Sequence, residues 1–150
     1  MKPNKFLALA AVAGLCACAT LPAVARDTVV KITLQSVLDM PEAGGKLDGS
    51  VKFYLAGSPT PKILEKLGDD VGNEKTNSVG KSAEFACRWA ALSGLIAFQK
   101  HAKEKGANAV VDMVSYYKKE VSSSPTDIEC HDGAIVTGVA LKGTYAKVAK

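Results

Sequence analysis

The segment Gly80-Lys81-Ser82 carries the residue types that close a phosphate-binding P-loop just before a helix. A complete P-loop needs another glycine five residues before Gly80, so that backbone N–H groups can surround the phosphates. Lys75 occupies that position. We therefore interpret Ser82 as the N-cap of the following helix and do not predict nucleotide hydrolysis.

The segment Cys130-His131-Asp132 combines residue types that bind soft metal ions. Adjacent residues on a strand point to opposite faces, however, so one ion cannot easily bind both Cys130 and His131. The only other histidine, His101, is predicted at the exposed end of a helix. The pattern predicts no metal ligand.

Asp112 lies among valines in a predicted strand. A half-buried carboxylate there would be a candidate functional group, but the simpler interpretation is a solvent-facing aspartate. His101 and His131 are poorly placed to act as a buried, oriented catalytic base. We therefore predict no catalytic residue and no cofactor.

The segment Tyr116-Tyr117-Lys118 is a candidate interaction patch, since tyrosine is enriched at protein interfaces. The alternative is a strand end followed by a solvated basic loop. The patch remains a hypothesis from residue types alone.

The N-terminus has the order of an export signal. Lys2 and Lys5 precede an uncharged apolar run, Phe6–Ala19, and Ala23-Val24-Ala25 places small residues where a signal peptidase reads. We predict residues 1–25 as a signal peptide cleaved between Ala25 and Arg26, and residues 26–150 as one domain that is periplasmic or secreted.

A second interpretation of the same region is lipidation. Leu15-Cys16-Ala17-Cys18 is similar to a lipobox, whose cysteine is acylated and becomes the first residue of the mature chain. Acylation of Cys18 would anchor the domain to a membrane.

The predicted cleavage after Ala25 determines which cysteines remain in the mature chain. Cys16 and Cys18 belong to the apolar run, so cleavage after Ala25 would leave only Cys87 and Cys130. In an oxidising compartment these two cysteines allow one disulfide. Two free buried thiols are the alternative.

Composition excludes a nucleic-acid partner. The formal net charge is +4, from 19 basic and 15 acidic side chains. Removal of the signal segment takes away Lys2 and Lys5, which leaves 17 basic side chains against 15 acidic ones. A net charge of about +2 in a mixed sequence lacks the concentrated basic patch that nucleic-acid binding needs. No transmembrane segment is predicted after residue 25.

The hydrophobic pattern predicts an α+β fold, a small, mostly antiparallel sheet packed on one long helix with a single disulfide. The helix begins after Ser82, ends near Gly106 and is expected to bury a stripe containing Trp89. Residues 68–81 are polar and are predicted as a loop. The predicted strands are Thr28–Leu38, Val51–Leu55, Ala109–Tyr117, Ile128–Cys130 and Ala134–Leu141, and Ile63–Leu67 is either a helical turn or a short strand.

The second half of the chain resembles a known family. The segments that carry the likeness are Gly80-Lys81-Ser82, Cys87, Trp89, Gly106–Val111, Ser115–Lys118, Cys130-His131 and Leu141-Lys142-Gly143. They are similar to small secreted proteobacterial proteins that often receive the label "excinuclease ATPase subunit". That family implies no established activity.

A weaker similarity lies in Gly106-Ala107-Asn108-Ala109-Val110, which follows the predicted helix and opens a strand. It resembles the heavy-metal-binding-domain family and the sensor lipoprotein of the Rcs envelope-stress pathway. The resemblance implies a small sheet with helices packed against it.

These observations predict a non-catalytic periplasmic binding or interaction module whose partner is an unidentified periplasmic or envelope protein. The resemblance to the Rcs sensor implies an envelope-stress setting. The alternative is a periplasmic protein that binds a metal or a small ligand. The sequence does not indicate an oligomeric state.

Overall fold

A computed structural model describes residues 25–150 of the chain. Residues 1–24 of the predicted signal segment, with the alternative lipidation site at Cys18, lie outside the described residues. The elements, in chain order, are β1 (Thr28–Thr33), α1 (Leu34–Leu38), β2 (Lys52–Leu55), β3 (Ile63–Asn77), α2 (Ala83–Glu104), β4 (Ala109–Ser115), a one-turn 3-10 helix (Tyr117–Lys119), β5 (Asp127–Asp132) and β6 (Val136–Val148).

The strands form one six-stranded mixed sheet organised around β6. β3 pairs antiparallel with β6 along one side, while β5 and β4 pair antiparallel with successive parts of its other side. β1 extends the sheet beyond β5, and β2 extends it beyond β4. The α+β class is confirmed. The sheet is mixed and not mostly antiparallel as predicted, because β2 runs parallel to β4 after a crossover that contains α2.

The helix predicted between Ser82 and Gly106 is confirmed as α2. The Ser82 hydroxyl accepts a hydrogen bond from the Phe85 N–H at 3.2 Å, which satisfies one of the free donors of the first turn. Gly106, at φ +69°, follows the last turn in the left-handed conformation that glycine adopts without strain. Ser82 therefore caps the helix, which agrees with its interpretation as an N-cap and not as part of a P-loop.

The buried stripe of α2 differs from the prediction. Phe85, Trp89 and Ile96 lie at its margins, and Phe85 stacks on Trp89 at 6.4 Å between ring centroids. The buried residues of α2 are mostly small or aliphatic: Ala86, Cys87, Ala90, Ala91, Leu92, Gly94, Leu95, Phe98, Gln99 and Ala102. Small side chains let the helix approach the sheet closely: a Cβ at Gly94 would lie 3.4 Å from Leu141.

Residues 68–81, predicted as a loop, mostly belong to the long strand β3. Their polar sequence fits an edge strand, since β3 pairs only with β6 among the described strands. The paired backbone of β6, which lies far away in sequence, stabilises an extended conformation that the local pattern does not predict.

The first strand is shorter than predicted. Thr33 ends β1, and its side-chain oxygen accepts a hydrogen bond from the Ser36 N–H at 3.1 Å. This N-cap starts α1, so residues 34–38 are helical instead of extended.

The disulfide is confirmed: Cys87 of α2 is bonded to Cys130 of β5, with Cα atoms 5.8 Å apart. Both residues are fully buried. The bond fastens the helix to the sheet inside the main core, where Phe98 of α2 packs against Tyr145 of β6 at 5.9 Å between ring centroids.

Candidate functional site

The sheet has a second face, directed away from α2, and this open face carries the candidate site. Cross-strand pairing places His131 of β5, Gly138 of β6 and Lys75 of β3 side by side on it. Residues just before β1 and the turn after β4 enclose the same area. The result is a cavity of about 560 Å³. We call it the basic groove; its lining includes Arg26, Asp27, Lys75, Tyr117, Lys118, His131, Gly133, Val136 and Gly138.

His131 is the most constrained side chain of the basic groove. Its Nδ1 lies 2.8 Å from Oδ1 of Asp27, and its Nε2 lies 3.1 Å from Oε1 of Glu129. An ionised carboxylate can only accept a hydrogen bond, so each ring nitrogen of His131 faces an acceptor. The hydrogen bond from His131 lowers the pKa of Asp27.

Tyr117 forms a wall over His131. The two rings stack with centroids 3.4 Å apart and planes 15° apart. The Tyr117 hydroxyl also donates to Oδ2 of Asp27 at 3.5 Å. A smaller cavity of about 300 Å³ lies against the same stack and includes Glu129 in its lining. The stack therefore separates two hollows of the surface.

Lys118 is held in an unusual backbone conformation. Lys118 and Lys119 have φ values of 51° and 66°, in the left-handed region that non-glycine residues adopt only when surrounding contacts hold them there. The Lys118 ammonium lies 5.1 Å from the Tyr117 ring centroid and 3.8 Å from Oδ2 of Asp27. The turn thus directs a cation to the rim of the basic groove.

Lys75 and the glycine beside it complete the basic groove. Lys75 has no ion-pair partner within residues 25–150. A Cβ at Gly138 would come within 3.3 Å of both the Glu74 carbonyl oxygen and Cγ of Lys75. The absence of a side chain at Gly138 therefore leaves space for the aliphatic part of the Lys75 side chain.

Asp132 anchors the groove from the other face of β5. Its carboxylate is buried and accepts a hydrogen bond from the Thr137 hydroxyl at 2.5 Å, and it also pairs with Arg26. The Thr137 hydrogen bond and the Arg26 guanidinium lower the pKa of Asp132 against the opposing effect of burial. The ion pair with Asp132 therefore holds the Arg26 side chain at the rim of the basic groove.

A second histidine cluster, which the sequence did not predict, lies where β3 meets α2. Asp70 accepts a hydrogen bond from the Tyr145 hydroxyl at 2.6 Å and lies 3.0 Å from Nδ1 of His101. Burial alone would raise the pKa of Asp70, but these hydrogen bonds lower it overall. Burial and the Asp70 carboxylate raise the pKa of Tyr145. The phenol is thus a poor nucleophile, and the cluster stabilises structure.

The residues singled out in the sequence separate in the structure. Cys130 faces α2 in the disulfide, whereas its neighbour His131 faces the open side and still lies in β5, one residue beyond the predicted strand Ile128–Cys130. Asp112 is exposed, as its simpler interpretation required, at a bulge with φ 52° and 3.2 Å from the Lys66 ammonium.

The candidate patch Tyr116-Tyr117-Lys118 lies only partly in the basic groove. Tyr117 and Lys118 line the basic groove. Tyr116 lies beside it, with its N–H bonded to the Ala140 carbonyl and its ring 5.5 Å from the Lys142 ammonium. Asp27 and Glu129 were missed. The spacing of Glu129 and His131 on one strand places both on the same face, and this was the available signal.

Within residues 25–150, no group of three or more His, Cys, Asp or Glu side chains is arranged to hold a metal ion. None of the helices in the described part of the chain combines the length and apolarity that crossing a membrane requires.

The fold and the groove define a disulfide-bonded α+β domain with a polar, ligand-sized hollow on the open face of its sheet. A scan against models of known families and a search of curated proteins found no significant match to this chain.

Proposed function

We propose that this protein is an exported, non-catalytic binding module that receives an anionic group of a periplasmic or envelope protein in the basic groove. The observation that carries the proposal is the convergence of Arg26, Lys75 and Lys118 around one cavity. Arg26 pairs with Asp132, and Lys118 lies 3.8 Å from Asp27, which His131 also engages. Lys75 is the lining cation without an ion pair within residues 25–150, and its ammonium favours a carboxylate or phosphate group from outside.

The chemistry of the groove supports binding more than catalysis. Both nitrogens of His131 face carboxylates, so neither is free to take a proton from a substrate. The second histidine, His101, faces Asp70 beside a tyrosine whose pKa is raised. Neither cluster pairs a nucleophile with an available base.

Two features support an extracytoplasmic location. The Cys87–Cys130 bond is of the kind that persists in oxidising compartments. The sequence of residues 1–25 has the order of a signal peptide. The distant resemblance to the Rcs sensor suggests envelope stress as a setting for the partner.

Processing is tested by the intact mass of the protein from its native envelope, before and after reduction and alkylation. We expect a chain that begins at Arg26 and has no free thiol. A chain that begins at an acylated Cys18 would instead place the domain on a membrane. Two freely alkylated thiols would overturn the disulfide.

Anion binding is tested by titrating the oxidised protein with an acetylated peptide of five glutamates and following backbone amide signals. A peptide of five glutamines is the neutral control. We expect shifts at Lys75, Tyr117 and Gly138 with the acidic peptide only. Added salt should weaken the binding, because the groove is open to solvent and its charges are screened.

The matched variants are Lys75→Gln/Lys118→Gln in the groove and Lys62→Gln/Lys100→Gln outside it. All four lysines are exposed, so both pairs should fold, and both remove the same net charge. The groove pair should lose roughly ten-fold in affinity, equivalent to about 1.4 kcal/mol. Equal losses in both pairs would indicate nonspecific attraction and overturn the groove as the contact surface.

A further inference from the structure

A separate cavity of about 320 Å³ lies at the opposite end of the sheet, between residues 38–51 and β2. Its wall is predominantly apolar, with contributions from Leu38, Leu47, Val51, Phe53 and Tyr54. This volume is at the lower end of the range of small-molecule sites, which are usually apolar with a few polar groups.

The wall formed by residues 46–50 is fixed in place. The side chain of Gln99 on α2 donates to the Lys46 carbonyl at 3.0 Å and accepts from the Asp48 N–H at 3.0 Å. Gln99 is only 7% exposed, so these hydrogen bonds are sheltered from water. The carboxylate of Asp48 is in turn held by Ser50 and Lys103. A ligand would therefore meet a preformed wall, which reduces the entropy cost of binding.

The cavity has one charged lining residue, Lys52. No carboxylate within residues 25–150 forms an ion pair with its ammonium. A preformed apolar hollow beside an unpaired cation complements a molecule with a short apolar body and one negative group.

We propose that this cavity is a binding site for a free, single-chain amphiphilic carboxylate, such as a short fatty acid. The apolar chain lies against Phe53 and Leu47, and the carboxylate meets the Lys52 ammonium. The volume of about 320 Å³ has no room for the two chains of a membrane lipid. This site is independent of the basic groove and of the partner proposed there.

The probes are octanoate, octanol and acetate, each titrated into the oxidised protein while backbone amide signals are followed. Octanoate should shift the signals of Leu47, Phe53 and Tyr54, whereas its effect on Lys75 and Gly138 in the basic groove should not exceed that of acetate. Octanol should bind the cavity roughly ten-fold more weakly because it lacks the charge, and acetate should not shift the cavity signals because it lacks the chain. Shifts confined to the basic groove would overturn the proposal.

Two variants test the two halves of the site. Lys52→Gln should weaken octanoate binding roughly ten-fold and leave octanol binding unchanged. Gly44→Phe should fill the cavity, because Gly44 lines it and an added Cβ meets only the Pro41 carbonyl at 3.7 Å. Gly45→Phe is the matched control, since a Cβ at Gly45 has no neighbour within 4 Å. Octanoate binding that survives both Lys52→Gln and Gly44→Phe would overturn the site.

Discussion

The two faces of the sheet use the same strands for opposite purposes. On the face covered by α2, β6 places Val139, Leu141 and Tyr145, which are 3%, 1% and 0% exposed. On the open face the alternating positions of β6 include Gly138 and Lys142, and the neighbouring strands add lysine, histidine and glutamate side chains.

This difference separates stability from recognition. The main apolar core, the disulfide and close helix packing all act on the covered face, where each fully buried large apolar side chain contributes about 1.5–3 kcal/mol. The open face also buries a smaller apolar cluster, formed by Ala109, Val111, Ala146 and Val148. None of these residues lines the basic groove, so the charges around the groove can be arranged for a ligand. Substitutions on the two faces should therefore have different consequences.

The largest expected effect comes from removing the bond that joins α2 to β5. The variant Cys87→Ala/Cys130→Ala loses a cross-link between residues separated by 43 positions. Loop entropy predicts a loss of about 4 kcal/mol in the free energy of unfolding. Urea unfolding measures it, with reduced wild-type protein as the control. A loss below about 1 kcal/mol would mean that the core alone holds the helix on the sheet.

The next effect tests packing between β6 and β4. A Cβ at Gly143 would lie 2.7 Å from Cγ1 of Val110 and 3.1 Å from Cγ of Met113. Gly143→Ala should therefore cost about 1–3 kcal/mol of unfolding free energy through overpacking.

Gly45→Ala is the control for Gly143→Ala, because a Cβ there meets nothing within 4 Å. It should leave stability unchanged or raise it by up to about 1 kcal/mol, by restricting the unfolded chain. Thermal unfolding compares the two variants, and equal effects would contradict the tight fit at Gly143.

The contrast between faces also explains what could be predicted from sequence. The boundaries of α2 were predictable because they depend on local chemistry: the Ser82 hydroxyl bonds within its own first turn, and Gly106 follows the last one. β3 was missed because its polar residues are extended only through pairing with β6. An edge strand that is held by pairing with a distant segment can be polar along its own sequence, so hydrophobic periodicity does not reveal it.

The basic groove was predictable only in part. Tyr117 and Lys118 were recognised as a candidate patch by residue type, but Asp27 and His131 meet across 104 positions of sequence. Their contact depends on the antiparallel register of β1 and β5, in which Val29 lies opposite His131. Such register is a property of the folded sheet.

A smaller, pH-dependent effect is expected at Asp132, which lies on the covered face and anchors Arg26. Asp132→Asn should lower the unfolding free energy by roughly 2 kcal/mol at pH 7, as expected for hydrogen bonds to a charged group. The exposed Asp39 provides the control Asp39→Asn, which should change stability by less than about 0.5 kcal/mol.

The sign of the pH effect follows from the direction of the shift. The folded-state pKa of Asp132 is lowered, whereas an unfolded aspartate titrates at about 3.9. Its stabilisation is thus complete above the unfolded pKa and is lost as the pH falls through the folded one. The difference between wild type and Asp132→Asn should shrink below about pH 4, and a constant difference in acid unfolding would contradict the ionic anchor.

The smallest expected effect on stability is that of the groove variant, which also tests the contrast between the two faces of the sheet most directly. Lys75→Gln/Lys118→Gln changes exposed side chains of the open face, so the unfolding free energy should move by less than about 0.5 kcal/mol. The same double variant should lose affinity for the acidic peptide, because it removes two of the three cations around the groove. Measuring urea unfolding and peptide binding on one sample decides the matter. If both fall together, the open face supports the fold as the covered face does, and the division of labour between the faces is wrong.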